Sequence, residues 1–581
     1  METLKSQPVL SSPIASAPEV AAPQRPSNRG ILASPDLLSL LFIGLFWVAL
    51  IVVTKPWGDF PLNDDWTYGY SVFGLVKNGQ LRLIAWEQAS LIAQVIWGFF
   101  WVHLFGATWE SLKVSCIALG LAALVLVYMI MRELGVRPLW STLAALTVAS
   151  NPIFFCSSCS FMTEIPFLTA TYASFYFCLR GLSSTLRPRI LLPLILTSIT
   201  AILIRQHGLI LPVAFGMVWC VKQRHAPRTW FHGCLPALAA VLALVAYEAW
   251  LALHGLLPAN HPNARLGSVV HEILSYLSAP NTALRPRCVA LLLYSAVMLS
   301  PIVVPMAFSR KLTSIKSAWL CAALALLIAF RSIGMQRLMP LYHNIISEYG
   351  VGPLTLRASI VPGIPPMPWL LRFLATLIAW FAVLLIIQMF TPTRLKQLNL
   401  SLKRPNYILV LSILSFGMYA TAICLQGDEI DRYFLPVLLP GLACAPYAIR
   451  EMGPSSARVA SLLIFCFAVF SVMGVHDYYA WNRARWSALN YMNNTCKISA
   501  NKIDGGIEYN GLYNYSPVQI KSNKTRWWVA DDCYAVTYGS CKGFSQVASF
   551  PYQHWMPPVQ QACILILRRN DVKAGDNEHQ I

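Results

Sequence analysis

Residues 61–68 read Pro-Leu-Asn-Asp-Asp-Trp-Thr-Tyr, and they follow the first long apolar run of the chain, Leu37 to Val53. The two adjacent acids, Asp64 and Asp65, stand at the predicted edge of a membrane with aromatic residues beside them. Charged groups at such an edge are candidates for function. A reaction centre is one interpretation of this stretch and a solvated acidic loop is the other, so the remaining sequence has to distinguish them.

The composition places the chain among polytopic membrane proteins. Of its 581 residues, 56% are hydrophobic and 12% are charged, with a mean hydropathy of +0.54, whereas a soluble domain carries about 25% charged residues. Apolar runs of about 20 residues recur, which is the length that a helix needs to cross a bilayer. The net charge of +19 comes from short basic clusters between these runs, and this is typical of cytoplasmic loops rather than of nucleic-acid binding.

The first 36 residues are predicted to form a disordered cytoplasmic tail. They are rich in Ser, Pro and Ala and show no helical or strand periodicity. Arg25 and Arg29 lead into the first apolar run, and no clear small-residue cleavage site follows it. We therefore expect no cleavable signal peptide, and we place the N-terminus on the cytoplasmic side.

The basic clusters also decide how the region at about 66–106 lies. If the apolar segment Leu91 to Phe105 lies in the membrane interface, all six later Lys and Arg clusters fall on the cytoplasmic side; if it spans, all six fall outside. The sequence therefore predicts interfacial amphipathic helices at about 66–106. The six clusters are Arg132/Arg137, Arg180/Arg187/Arg189, Lys222/Arg224/Arg228, Arg310/Lys311/Lys316, Arg394/Lys396/Lys403/Arg404 and Arg450/Arg458.

The predicted fold is an all-α polytopic membrane domain over residues 37–475, with about 13 transmembrane helices. The polar segment 476–581 contains short strand-like runs such as Ala562 to Leu567, and it predicts a small outer α+β domain. The predicted spans are 37–53, 110–131, 138–153, 164–180, 190–204, 207–222, 235–253, 289–308, 317–334, 369–390, 406–425, 433–449 and 458–475.

The predicted outer domain holds four cysteines, Cys496, Cys533, Cys541 and Cys563. An even number of cysteines in an oxidising compartment is compatible with two disulfides. Cys533 with Cys541 is the pairing to test first. Four free thiols are the alternative, and the sequence leaves both open.

Three acids are candidates for the chemistry. A hydroxyl or amine that attacks a transferred group needs a base near the attacking atom, and a carboxylate such as Asp64 suits that role. Asp65 can divide the work with it, so that one acid is the base and the other positions it or holds a cation. Glu164 begins an apolar helix on the same predicted face. It is either a second catalytic acid that faces Asp64 or an acid whose position at the helix start is favoured by the helix dipole.

Two arginines are candidates for binding an anion. Arg205 lies between two apolar runs, and Arg432 starts a later one with Tyr433 beside it. Arginine binds phosphate in a bidentate manner, so the group suits a lipid phosphate. The alternatives are a snorkelling cation for Arg205 and a salt bridge from Arg432 to Asp428 or Asp431.

The sequence gives only weak indications of a metal or nucleotide site. The Asp504-Gly505-Gly506 turn lacks the strand–loop–helix setting of a phosphate-binding loop. The predicted outer histidines show no metal-ligand spacing, and we expect them to be loop residues. These histidines are His254, His261, His271 and His343.

Three motifs together resemble those of the bacterial membrane glycosyltransferases of the GT-C superfamily, closest to the dolichyl-phosphate-mannose-protein mannosyltransferase-like group that includes the lipid A aminoarabinose transferases. Asp64-Asp65-x-x-Tyr68 is similar to the group's Asp-Glu-x-x-Tyr, with Asp in the Glu place. Glu164-Ile165-Pro166 resembles its Asp-x-Pro, and Arg432-Tyr433-x-x-Pro436 its Arg-Tyr-x-x-Pro. The likeness covers most of residues 37–475.

The resemblance implies transfer of a sugar from a polyprenyl-phosphate donor at the outer face of the bacterial cytoplasmic membrane, by an inverting mechanism. It implies that Asp64 is the base and that Arg205 and Arg432 hold the donor phosphate, with Arg205 the looser assignment because many relatives have Lys there. The acceptor is a lipid, a glycan or a protein. The departures at Asp65 and Glu164 leave open whether a divalent metal takes part.

A polytopic transporter or flippase for a lipid-linked sugar is the alternative function. Transporters tend to place their charged residues at the bilayer midplane and to contain internal repeats. This chain places its charged residues at the outer ends of the predicted helices and shows no convincing repeat, so we favour the enzyme.

Overall fold

The computed structural model describes residues 34–84, 86, 89–184, 186–257, 284–357, 363–389, 406–426, 430–516 and 527–572. Several residues named above lie outside these ranges. They are residues 1–33 of the predicted disordered tail, the Arg394/Lys396/Lys403/Arg404 cluster, His261, His271 and Asp428. The helices are α1 Ser34–Thr54, α2 Asp65–Asn78, α3 Ile92–Phe105, α4 Trp109–Glu133, α5 Pro138–Ala149, α6 Pro152–Ser158, α7 Glu164–Ser183, α8 Pro188–Ile202, α9 Ile210–Lys222, α10 Trp230–Leu253, α11 Leu284–Val303, α12 Ile315–Gly334, α13 Trp369–Met389, α14 Tyr407–Gln426, α15 Leu438–Cys444, α16 Pro446–Ile449, α17 Pro454–Asn490 and α18 Ile507–Asn514.

Within the described residues, eight helices are long and apolar enough to cross a membrane, or nine if one bent pair counts as a span. The predicted polytopic, mostly helical fold is thus confirmed, whereas the number of about 13 spans is not. The candidate spans are Pro35–Thr54, Trp109–Glu133, Pro227–Leu253, Leu284–Phe308, Ile315–Gly334, Trp369–Met389, Tyr407–Leu425 and Pro454–Thr495.

The bent pair replaces the continuous span predicted over 138–153. α5 and α6 meet at an angle of 68°. Asn151 caps α6 because its side-chain oxygen accepts from the amides of Ile153 and Phe154, at 2.9 and 3.1 Å. Pro152 then occupies the first helical position, where its missing N–H costs nothing. A cap and a proline in sequence end one helix and start another.

The span predicted over 433–449 is also broken. The structure has a 3-10 helix over Asp431–Val437 and then the short helices α15 and α16. Pro436, Pro440 and Pro446 divide this segment, and a proline inside a helix removes a hydrogen bond and clashes with the preceding turn. Consequently Arg432 and Tyr433 lie in a tight, largely buried turn rather than at the start of a long helix.

The region predicted to be interfacial contains α2 and α3, separated by residues without regular structure at 81–84. α3 has 14 residues, which is about 21 Å of helix and too short for a bilayer core of about 30 Å. It is apolar along most of its length, as the sequence shows. Its position in the membrane interface stays a prediction.

The C-terminal region forms one mixed sheet, as the predicted α+β domain required. The strands β3 Ile503–Asp504, β4 Tyr534–Thr537, β5 Phe544–His554 and β6 Gln560–Arg569 follow the short hairpin of β1 Ile346–Ser347 and β2 Gly350–Val351. The sheet order is β3-β4-β6-β5; β3 pairs with β4 in parallel, and the other pairs are antiparallel. The four cysteines of this region are free thiols, including Cys533 and Cys541.

The predicted domain boundary at 475/476 falls inside α17, which runs without interruption to Asn490. The sheet packs on the second half of this helix, where the carboxylate of Asp477 accepts hydrogen bonds from the amides of Trp555 and Met556 at 2.7 and 2.8 Å. The C-terminal region is therefore joined to the membrane helices by a shared helix, and no loop separates the two.

Candidate active site

Asp64 begins the candidate site, at the turn that leads into α2. The preceding residue, Asn63, has a positive φ of 54°, a left-handed conformation that asparagine adopts more readily than most residues. Asp64 occupies the N-cap position of α2, but its side chain does not cap the helix. Instead its Oδ2 lies 2.7 Å from Nη2 of Arg432, and its Oδ1 accepts from the indole N–H of Trp86 at 3.2 Å. The carboxylate is thus aimed away from its own helix.

Glu164 joins the two arginines that the sequence singled out. Its Oε1 accepts from Nη2 of Arg205 at 2.6 Å and lies 3.2 Å from Nε of Arg432. The neighbouring Thr163 accepts from Nε of Arg205 at 2.7 Å. Glu164 is also the first residue of α7, where the helix dipole favours a negative charge. Asp64, Arg432, Glu164 and Arg205 therefore form one chain of ion pairs.

Tyr433 lies against both guanidinium groups. The carbon at the centre of the Arg205 guanidinium is 5.4 Å from the ring centroid of Tyr433, and that of Arg432 is 5.6 Å away. Within about 6 Å an aromatic face attracts a cation. The predicted phosphate-binding residues Arg205, Arg432 and Tyr433 are thus brought into one group, together with the predicted acids Asp64 and Glu164.

Arg432 is the most enclosed arginine of the group, with its side chain 6% exposed against 17% for Asp64. Burial acts against its charge, but Glu164 and Asp64 more than compensate and hold the pKa of Arg432 well above its usual value. Its Nη1 is buried and has no hydrogen-bond partner within the described part of the chain, and neither has Oε2 of Glu164. The Nε of Arg432 is near Glu164 but not aligned for a hydrogen bond. Buried N–H groups of this kind usually await a ligand or water.

Tyr68 completes the first motif from one turn further along α2. Burial raises the pKa of the Tyr68 phenol well above its usual value, and the negative charge of Asp64 raises it further. The phenol is therefore neutral at physiological pH. It is available as a hydrogen-bond donor, whereas proton abstraction is left to the carboxylates.

The structure places Asp65 outside the ion-pair chain. Its carboxylate accepts hydrogen bonds from the amides of Leu62 and Phe161, and the residue is fully buried. Burial raises the pKa of Asp65 to about 8, and the charge of Lys113 acts against this rise. Consecutive side chains on a helix point about 100° apart, so one of the two adjacent acids faces the arginines and the other faces the protein interior.

Several residues of the site lie beyond what the sequence indicated. The amide of Asn63 donates to Glu508 from the C-terminal region at 2.8 Å, and Glu508 is paired with Arg485 of α17 at 2.8 Å. Trp86, an aromatic residue of the region at about 66–106 that was predicted to be interfacial, donates a hydrogen bond to Asp64. No local pattern marks Glu508, since it is a single acid in a polar segment and its contact is 445 positions away.

Those candidate metal ligands that the structure describes do not form a centre. Across the described residues no group of three or more His, Cys, Asp or Glu side chains is arranged to hold a metal ion. His254 at the end of α10 and His343 are exposed and lie in no such group. Asp64 and Glu164 are both engaged by arginines.

Comparison with known proteins agrees with the predicted resemblance. Residues 103–253 match the model of the dolichyl-phosphate-mannose-protein mannosyltransferase family, which is 151 of the 581 residues. The matched segment contains Glu164 and Arg205, but neither Asp64 nor Arg432. A comparison with curated protein sequences finds no match.

Several solved structures show a distant similarity to the chain, among them two different proteins. The first is ArnT from Cupriavidus metallidurans bound to undecaprenyl phosphate, with 15% identity, a TM-score of 0.38, and coverage of 82% of this chain and 85% of that one. The second is the oligosaccharyltransferase AglB from Archaeoglobus fulgidus in complex with an inhibitory peptide and a dolichol-phosphate, with 14% identity and a TM-score of 0.29 over 70% of this chain and 56% of that one. The present chain thus spans little more than half of AglB. Both TM-scores lie below 0.5. The family match confirms the predicted resemblance and, with it, the predicted class of the protein, a membrane glycosyltransferase.

Proposed function

We propose that this protein transfers a sugar from a polyprenyl-phosphate-linked donor to an acceptor at the outer face of the bacterial cytoplasmic (inner) membrane, with inversion at the anomeric carbon. The observation that carries the proposal is the ion-pair chain of Asp64, Arg432, Glu164 and Arg205. It combines a carboxylate suited to remove a proton with two arginines suited to bind a phosphate.

In this mechanism Asp64 acts as the general base. It accepts the proton of the acceptor's hydroxyl or amine as that atom forms a bond to the anomeric carbon, on the face opposite the phosphate. The bond between the anomeric carbon and the phosphate oxygen breaks at the same time, and its electron pair stays on the phosphate. A positioned base of this kind contributes about 10²- to 10⁴-fold in rate.

The arginines bind the group that leaves. Polyprenyl phosphate gains a negative charge as the bond breaks, and fixed cations stabilise that charge in the transition state. Arg432 supplies its buried, unpaired Nη1 for this purpose, and the Arg205 guanidinium lies near the same Tyr433 ring. Tyr433 keeps the two guanidinium groups within reach of one phosphate.

Glu164 balances the arginines when no donor is bound. Two guanidinium groups placed side by side in a largely buried site repel each other, and the shared carboxylate oxygen compensates both charges. When a donor phosphate enters, it takes over part of this role. Glu164 is thus proposed to position the arginines rather than to exchange protons.

The proposed orientation follows the positive-inside rule, with the N-terminus cytoplasmic and the C-terminal region periplasmic. A donor lipid then reaches the site from the bilayer, and the acceptor reaches it from the periplasm or the outer leaflet. A cell-envelope lipid or glycan is the proposed acceptor, with a protein as the remaining class. No nucleic acid takes part.

A transfer assay tests the proposal. Purified protein in lipid nanodiscs receives a panel of radiolabelled polyprenyl-phosphate sugars together with a total lipid and glycan extract. We expect label to move to one acceptor class with the wild type and not with Asp64→Asn. A parallel reaction with a chelator decides the open question of a divalent metal. Absence of transfer from every donor by folded protein, with lipid-carrier movement retained, would instead support the transporter.

A further inference from the structure

The C-terminal region holds a buried ion pair that the proposed chemistry does not use. Arg485 of α17 and Glu508 of α18 are both completely buried, and Nη2 of the arginine lies 2.8 Å from Oε2 of the glutamate. Burying two charges costs free energy, and apolar residues of similar size often stabilise a protein equally well. A role other than stability therefore has to be considered for this pair.

The contacts of Glu508 indicate that role. Its second oxygen, Oε1, accepts hydrogen bonds from the backbone amide of Asn63 at 2.8 Å and from the hydroxyl of Thr355 at 3.0 Å. Asn63 is the left-handed residue that immediately precedes Asp64. The carboxylate thus binds the backbone at the point where the chain turns to present Asp64.

Arg485 in turn fixes the position of Glu508. Its Nε donates to the carbonyl oxygen of Gly505 at 2.8 Å, and its Nη1 lies 3.3 Å from Oδ1 of Asn482 on the same helix. Gly505 lies two residues before the start of α18, so Arg485 holds the entry to this helix as well as the Glu508 side chain. The ion pair joins α17, α18 and the Asn63 turn.

The Asp64 carboxylate is held independently of this contact. Arg432 and Trp86 bind its two oxygens, whereas Glu508 fixes the main chain on the other side of the residue. A base held at its oxygens and at its backbone has little freedom to leave the productive geometry. Misplacing a reacting group by about 1 Å can cost 10²-fold in rate.

We infer that Glu508, supported by Arg485, is a positioning residue for the Asp64 base, so that the C-terminal region is part of the catalytic apparatus. The inference rests on the proposed role of Asp64. Glu508 touches neither the donor nor the acceptor in this proposal, and it acts through the Asn63 peptide alone. Its loss should therefore change the rate constant of transfer more than the affinity for the donor.

Two double variants test this inference without leaving a buried charge unpaired. Arg485→Met/Glu508→Gln removes both charges but keeps a side-chain oxygen that can accept from the Asn63 amide. Arg485→Met/Glu508→Leu is nearly the same size and has no acceptor. The comparison between the two isolates the hydrogen bonds that this oxygen accepts, and thermal unfolding in detergent shows whether both variants are folded.

We expect kcat to be about tenfold to hundredfold lower in R485M/E508L than in R485M/E508Q, with KM for the donor within about twofold. Equal kcat values in the two folded variants would overturn the inference. Absence of transfer by the wild-type protein would instead contradict the proposed function. Hydrogen–deuterium exchange then still tests the geometry, because faster exchange of the Asn63 amide is expected only in R485M/E508L, and equal protection in both variants rejects the inference.

Discussion

Arg432 and Asp64 meet at 2.7 Å across 368 positions of the sequence. The contact joins the turn before α2 to the broken segment that follows α14. Because Arg432 is almost fully enclosed, its charge needs a permanent partner. The same carboxylate that is proposed to accept a proton thus also neutralises the arginine that is proposed to bind the phosphate.

Asp64→Asn is expected to abolish detectable sugar transfer, with a loss of about 10²-fold or more, because the amide cannot accept the acceptor's proton. The measurement is the initial rate in nanodiscs at saturating donor. Asp59→Asn is the matched control: Asp59 lies five positions earlier and accepts a hydrogen bond from the amide of Trp109 at 2.7 Å, which an asparagine oxygen can replace. Full activity of Asp64→Asn would rule out its role as the base.

Arg432→Lys should weaken binding of polyprenyl phosphate by about tenfold or more, since lysine keeps the charge but loses the fork of N–H donors. Affinity is measured by isothermal titration in detergent with polyprenyl phosphate. Arg331→Lys, at an exposed position near the end of α12, serves as the control. An affinity equal to that of the wild type would mean that Arg432 has only a structural role.

Glu164→Gln is expected to lower the melting temperature, because two arginines lose the carboxylate that they share. A bound phosphate supplies the missing negative charge. Saturating polyprenyl phosphate should therefore raise the melting temperature of the variant by more than that of the wild type. Thermal unfolding followed by intrinsic fluorescence, with and without the lipid, measures both shifts; equal shifts would show that no phosphate binds beside Glu164.

Asp65→Asn is expected to act on stability rather than on chemistry. The Asp65 carboxylate accepts from the buried amides of Leu62 and Phe161 through its two oxygens. Asparagine replaces one of these oxygens with an NH2 group, and leaving a buried donor without its acceptor costs about 1–3 kcal/mol. Lys113→Met, alone and together with Asp65→Asn, measures how much the charge of Lys113, which acts on the Asp65 carboxyl, contributes to the stability of this buried group.

The two single variants and the double variant of Asp65 and Lys113 form a double-mutant cycle, measured as free energies of unfolding in detergent. If the changes in the free energy of unfolding of the two single variants sum to that of the double variant, the two groups do not interact. A folded Asp65→Asn protein without transfer activity would instead indicate that Asp65 takes part in the reaction, as the sequence had first indicated.

The helices that were predicted best are those whose ends are marked in the sequence. The run over 110–131 corresponds to α4, Trp109–Glu133, and Thr108 caps it by accepting from the amide of Ser111 at 3.1 Å. The run over 433–449 has the same apolar character but contains three prolines. Average hydropathy does not register backbone breaks, so a broken segment was predicted as a span.

The candidate site, too, was predictable from the sequence only in part. The residue types that bind phosphate and remove protons were recognisable at Asp64, Glu164, Arg205 and Arg432, because charged groups are rare in this chain. Which of two adjacent acids faces the arginines depends on the start of α2, and the sequence does not specify it. The contact of Glu508 with the turn depends on tertiary folding alone.

The length of α17 links the site to the bilayer itself. Its 37 residues correspond to about 55 Å of helix, whereas the hydrocarbon core is only about 30 Å thick. Tilting is one way in which a membrane helix accommodates a change in lipid thickness. Because α17 is continuous, a tilt of its membrane part also moves Arg485. Lipids of different chain length are thus expected to alter the rate of transfer without touching the site, which makes membrane thickness a physical variable of this enzyme.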